Sequence, residues 1–273
     1  MKLALSEIST VNATFAEDVA AYAAAGFDAI GIWESKLPDD DEANRALLRE
    51  HGLTVANCIP TVPTILQLGI PGMEGPADPE MRIEGLCASM RRLAAYDPES
   101  VGCLTGPIGS LAPDEARRIA VDGLQRVAAA AREAGATLAL EPVHRTQRET
   151  TSFVNSIEDA ISFLHEAGLD DVSLLLDVYH VWDDPALWDF IARASYRIAG
   201  VHLSDWPTER GRTDRMLPGK GGGRTKEIVD ALALSGWDGS LDVEVFSEPA
   251  RFWALSVEEA ARRAYVAVSA LVA

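Results

Sequence analysis

Short, almost uninterrupted apolar runs alternate along this chain with longer stretches in which apolar residues recur at helical spacing. The runs are KLALS (2–6), DAIGIW (28–33), LTVANCI (53–59), ESVGCLT (99–105), TLALE (137–141), VSLLLD (172–177), RIAGVHL (197–203) and SLDVEVF (240–246). Runs that skip the usual in-out alternation are expected of parallel strands covered on both faces. The helical stretches lie at 15–25, 40–51, near 79–95, from Pro113 to Gly135, and at 155–167, 185–194, 225–235 and 256–271. Gly26, Gly52, Gly135, Gly168 and Gly236 stand where those helices should stop, and Pro113-Asp114-Glu115 has the proline and acids of a helix start. Eight strand–helix pairs in alternation predict an α/β protein, a single (β/α)8 TIM barrel, with residues 1–273 forming one domain that no linker or low-complexity tract divides.

In such a barrel the C-terminal strand ends share a mouth where the chemistry sits. Four successive runs of the second half end there in a metal-ligand type of side chain: Glu141, Asp177, His202 and Glu244. One carboxylate at a strand end is ordinarily a cap or a solvated loop residue. Four in succession, set against apolar runs where an unpaired charge is costly, point to one shared cation. Three carboxylates and a neutral imidazole suit a divalent ion, with Mn2+ the first choice and Mg2+, Co2+ and Zn2+ compatible.

His144, His180 and Asp205 each lie three residues past one of these ligands, and are candidates for contacting substrate or orienting a ligand. The plainer alternatives are a core histidine for His180 and an inert loop residue for His144. Trp182 joins Trp33, Trp206, Phe246 and Trp253 as aromatics that would wall a sugar site. Two long loops, 60–78 and 204–224, follow strands on the same face, where long loops tend to be functional. Within the second, DRMLPGKGGG lacks the spacing of a phosphate-cradling loop and reads as a flexible hinge, while Arg215 and Lys220 are placed to bind substrate oxygens.

A net charge of −18 argues against nucleic acid or an anionic membrane as partner. Cys58, Cys87 and Cys103 have no CxxC spacing, so we expect reduced, structural thiols in a cytoplasmic protein. The start, MKLALSEIST, turns polar too soon for a signal peptide, and no apolar run approaches the roughly 20 residues of a membrane span.

The segments LALEPVH, LLLDVYHVW, HLSDW…DRMLPGKG and LDVEVFS resemble the corresponding strands of the xylose isomerase-like superfamily of sugar isomerase/epimerase barrels. In appearance the chain is most similar to the inosose (2-keto-myo-inositol) isomerase type and its sugar phosphate isomerase/epimerase relatives, from MKLALSE to VEEAARRAYVAV. The resemblance implies Glu141, Asp177, His202 and Glu244 as metal ligands, Glu141 and Glu244 as the acid/base pair, His180 as a substrate-binding residue and Arg215 as the arginine of the loop after the seventh strand. It implies isomerisation or epimerisation of a small carbohydrate or cyclitol ketone through a metal-stabilised cis-enediolate. The chain departs from the family at Lys220 and GGRTKE, where members carry an acidic or amide residue and a G-x-I-D turn.

Two alternatives use the same frame. One is a lyase cleaving 3-keto-glycosides, like the large subunit of C-glycoside-cleaving enzymes, with His144 as base and a small second subunit as partner. The other is a non-catalytic sugar-binding barrel, which would not need both glutamates. A homo-oligomer is compatible with the isomerase reading. Apurinic-site nucleases share the barrel, but need a basic groove that a charge of −18 does not supply.

Overall fold

The computed structural model describes residues 1–209 and 214–272. Eight parallel strands close into one barrel in sequence order: β1 (Lys2–Ser6), β2 (Ala29–Trp33), β3 (Thr54–Ile59), β4 (Ser100–Cys103), β5 (Leu138–Leu140), β6 (Ser173–Asp177), β7 (Ile198–Leu203) and β8 (Ser240–Val243). β8 returns to pair with β1, Leu3 opposite Leu241 and Leu5 opposite Val243, so the sheet has no open edge. Around it stand α1 (Phe15–Ala25), α2 (Asp41–His51), α3 (Pro79–Leu93), α4 (Pro113–Ala134), α5 (Ile157–Glu166), α6 (Val178–Val181), α7 (Leu187–Ala194), α8 (Thr225–Leu234) and α9 (Val257–Val272). This is the (β/α)8 arrangement that the alternation predicts.

Several strands are shorter than the apolar runs. SLDVEVF pairs only as far as Val243, and TLALE only from Leu138 to Leu140. Glu141 and Glu244 therefore stand one residue beyond the paired segments, at the mouth. The single turn α6 was not expected; Asp177 starts it, its Oδ1 accepting from the Tyr179 N–H at 2.9 Å.

The main core lies between barrel and helices, where Leu5, Ile30, Ile32, Val101 and Val201 pack with Phe15, Tyr22, Leu86, Leu124 and Phe163. The barrel interior differs, being narrow and partly polar. Ala4, Ala29 and Ala56 pack on one another there, and Asn57, Ser100 and Asp242 are fully buried. Gly31 and Gly200 make room for them. A Cβ on Gly31 would meet Asp242 Oδ2 at 2.1 Å, and one on Gly200 would meet Asn57 Oδ1 at 2.0 Å. All three cysteines are buried and free, as expected of structural thiols. No helix among the described residues is long and apolar enough to cross a membrane.

Candidate active site

The four strand-end residues converge. Asp177 pairs in register with His202, and β7 and β8 run level beside them, with Leu203 opposite Val243. Backbone bonds continue the ladder past its ends: Glu141 N–H donates to Cys103 O at 3.0 Å and Glu244 N–H to Leu203 O at 3.1 Å. Ligand atoms of Glu141, Asp177 and His202 lie within 4.8 Å of one another, and Glu244 Oε2 is 3.4 Å from His202 Nδ1. All four side chains are buried.

Arg215 enters this cluster from the loop after β7, anchored by its N–H to Phe246 O at 2.8 Å. Its Nη1 is 2.7 Å from Asp177 Oδ2 and donates to Glu244 Oε2 at 2.8 Å; Nη2 is 3.3 Å from His180 Nε2. The guanidinium lies over the rings of Tyr179 and Phe246, 4.7 and 4.8 Å from their centroids. Its contact with Asp177 is a close ion pair out of hydrogen-bond alignment. Asp177 Oδ2 and, separately, both His202 nitrogens have no hydrogen-bond partner.

Burial governs the protonation of the cluster. It pushes Glu141 well above the usual carboxylate range, reinforced by the neighbouring Asp177 and Glu244. It lifts Glu244 to about 7, although Arg215 pulls the other way. It drops His202 to about 4 despite Asp177, and His180 well below its ordinary value with Arg215 adding to the effect, so both imidazoles are neutral at physiological pH. Burial also works against the charge on Arg215, but Asp177 and Glu244 outweigh it and hold the guanidinium protonated. With all carboxylates ionised, three negative charges face one positive charge, leaving an excess of two. That excess, the orphaned ligand atoms and the neutral imidazole are the features a divalent cation would satisfy, and the donor set fits one.

One residue that sequence reasoning passed over sits directly beneath. Asp242 is in register with His202, its Oδ2 3.7 Å from His202 Nε2, and it accepts from Asn57 Nδ2 at 3.2 Å, while Asn57 Oδ1 accepts from Ser100 Oγ at 2.8 Å. Burial pushes the Asp242 carboxyl well above its usual range, so a neutral oxygen facing the ring is enough to orient it. Partners of this kind typically contribute 10–100-fold to metal affinity. We expect Asp242→Ala to weaken Mn2+ binding by about that factor and Asp242→Asn to retain most of it, measured by calorimetric titration; an unchanged affinity in Asp242→Ala would remove the residue from the site. The two-residue spacing from Glu244, in D-V-E, was the available signal, because alternate strand residues share a face.

The other predicted contacts separate into two groups. His180 and Arg215 line the cavity above the cluster, as do the aromatics Trp33 and Phe246. His144, Trp182 and Asp205 do not. His144 Nδ1 is 2.8 Å from Thr146 Oγ1, its Nε2 is 3.3 Å from Asp183, and its ring packs on Trp206 at 4.7 Å. Trp182 packs beside the same group, 5.8 Å from Trp206. Asp205 spends Oδ1 on the N–H groups of Trp206 and Gly223, at 2.9 and 2.6 Å, and so organises its own loop.

The glycines of that loop answer to close packing rather than to a hinge, since a Cβ on Gly221 would meet Trp206 O at 2.2 Å. Lys220 is exposed and away from the cavity. Residues 210–213, part of the long loop 204–224, lie outside the described residues. The cavity itself measures about 570 Å³ and is bounded by Glu141, Glu244, Tyr179, His180 and Arg215 together with apolar side chains from the loop after β3.

Fold and site together define a (β/α)8 barrel whose C-terminal mouth holds an acidic cluster with one imidazole, a donor set suited to a divalent cation. The chain belongs to the xylose isomerase-like TIM barrel family, whose model matches residues 19–265. It is similar to the D-psicose 3-epimerase of Enterocloster bolteae, 31% identical over 134 residues that make up 49% of this chain and 40% of that protein. A putative hydroxypyruvate isomerase of Streptomyces coelicolor is 26% identical over 248 residues, 84% of each chain. Among solved structures, the IOLI protein with a bound zinc atom matches with a TM-score of 0.80 over 100% of this chain and 98% of that one, at 21% identity, a likeness of fold. The relatives' named activities are epimerisation and isomerisation, which supports an enzyme of that kind.

Proposed function

We propose that this chain is a divalent-cation-dependent isomerase or epimerase of a keto-sugar or ketocyclitol, acting as a single cytoplasmic domain. The observation that carries the reading is the convergence of Glu141, Asp177 and His202 within 4.8 Å, with Glu244 beside them. A cation held by these four residues would polarise the substrate carbonyl and acidify the adjacent C–H bond. Glu244, whose carboxylate faces the same space, would take that proton. The C–H electron pair moves toward the carbonyl oxygen, giving an enediolate of the substrate. Glu141, the second carboxylate at the site, would return a proton to the neighbouring carbon for isomerisation, the proton of the adjacent hydroxyl passing to the former carbonyl oxygen, or to the opposite face of the same carbon for epimerisation. Arg215 and His180 face the same space and orient substrate oxygens. The zinc atom named in the IOLI structure accords with a cation at this mouth, and Mn2+ is our first choice on the donor set.

The elimination alternative assigned its base to His144, which faces Asp183 and Trp206 instead of the cavity. We therefore favour proton return over expulsion of a leaving group. Turnover of a ketose panel in D2O provides the test: product should carry deuterium at the enolised carbon. Product free of deuterium, formed from substrate that is likewise unlabelled, would contradict the reading.

A further inference from the structure

β1 and β8 part company just below the site. Their last pairing sets Leu5 opposite Val243, and beyond it a side chain takes the place of a strand. After Ser6 the chain enters the 3-10 turn Glu7–Thr10, which brings the fully buried Ser9 back against the end of β8. Ser9 Oγ donates to Val243 O at 3.1 Å and accepts from the Val245 N–H at 2.9 Å. In a parallel ladder one strand residue bonds the C=O and the N–H that flank its partner on the neighbouring strand. A hydroxyl is donor and acceptor at once, so a single atom makes the same bracket around Glu244. On the opposite side Glu244 is held by β7, through its own N–H to Leu203 O.

The turn that carries Ser9 is itself tied down. Lys36 Nζ donates to Glu7 O at 3.1 Å and to Thr10 O at 3.0 Å, and pairs with the buried Asp18, whose Oδ1 accepts from the Thr10 hydroxyl at 2.6 Å. Glu7 Oε2 accepts from the Trp33 N–H at 2.9 Å, and Ser6 Oγ from the Trp33 indole N–H at 3.1 Å. Buried groups bonded in this number hold the segment 6–10 in one conformation. Ser9 does not line the cavity, whereas Glu244 and Trp33 do, so its influence on the site passes through the backbone it grips.

We propose that Ser9 is a positioning residue for Glu244, its hydroxyl fixing the backbone on both sides of that glutamate and so the reach of the carboxylate into the site. This rests on Glu244 serving as a cation ligand and base, and adds the residue that aims it. Without the hydroxyl, Val243 C=O and Val245 N–H lose their partner in a buried place, and the segment moves to find others. A shift of about 0.5 Å is enough to spoil the geometry of a ligand.

Calorimetric titration with Mn2+ of the wild type, Ser9→Ala, Glu244→Ala and the double variant tests this. Glu244→Ala keeps the close group of Glu141, Asp177 and His202, and should bind the ion more weakly. Ser9→Ala should weaken Mn2+ binding about tenfold or more when Glu244 is present, and less than about twofold when it is absent. An effect of equal size in both backgrounds, as a general loosening of the barrel would give, or no effect in either, would overturn the proposal. The two readings fail separately. Affinity undiminished in Glu244→Ala removes Glu244 from the cation site and this inference with it, whereas weakening in Glu244→Ala beside unchanged affinity in Ser9→Ala removes Ser9 alone. If Ser9→Ala does not fold, or Glu244→Ala holds no measurable Mn2+, amide hydrogen exchange of the wild type decides: the Val245 amide should exchange as slowly as those inside β8, although it lies past the paired strand. Fast exchange there would overturn the proposal.

Discussion

Glu141→Gln and Glu244→Gln each lower kcat by about 10²–10⁴-fold, the usual contribution of a general acid or base, while the barrel stays folded. Glutamine keeps the size and one oxygen of glutamate, but cannot carry a proton to or from carbon. Stability should hold in Glu141→Gln, because burial already disfavours the charged form of that carboxylate, whereas Glu244→Gln weakens the buried pair with Arg215 and should lower it. The amide oxygen is also a weaker ligand, so metal content has to be measured beside turnover to separate proton transfer from cation loss. A fall of less than tenfold in either fully loaded variant would contradict the two-glutamate scheme.

Arg215→Ala should have the largest effect on stability, and one that depends on metal. The guanidinium is the positive partner of Asp177 and Glu244 and packs between Tyr179 and Phe246. Removing one member of a buried ion pair typically costs about 3–5 kcal/mol, because the remaining charges are left uncompensated. At roughly 2–4 °C per kcal/mol for a chain of this size, Tm in chelator should drop by about 10 °C. Saturating Mn2+ supplies the missing positive charge, so the deficit should shrink in its presence, and the cation should bind the variant more tightly than the wild type. Equal deficits with and without Mn2+ would mean that the arginine and the cation do not answer to the same carboxylates.

The parts of this architecture legible in the sequence are those written locally. Strands covered on both faces appear as apolar runs, and glycines in left-handed conformation, such as Gly52 at φ 72° and Gly135 at φ 76°, close α2 and α4 where the pattern stops. The acidic cluster was equally readable, since Glu141, Asp177, His202 and Glu244 each interrupt or end an apolar run.

Residues whose roles depend on distant partners were not readable. Arg82 sits in an amphipathic helix where an arginine reads as solvated, yet it is buried and binds carbonyls of the preceding loop. His144 and Asp205 share the three-residue offset of His180 from a ligand, but only His180 lies on the turn α6 that carries it into the cavity. Equal spacing from a strand end does not give equal direction once the chain leaves the ladder. Glycine permits both freedom and close approach, and at Gly221 and Gly223 only the packing of Asp205 and Trp206 against them distinguishes the two.

The central claim is that one divalent cation binds where β5, β6, β7 and β8 end. Calorimetric titration of chelator-stripped protein with Mn2+ tests it most directly, with wild type and Asp177→Ala run side by side. One saturable site per chain is expected in the wild type, and its loss in the variant. Absence of a saturable site in the wild type, or undiminished affinity in Asp177→Ala, would contradict it.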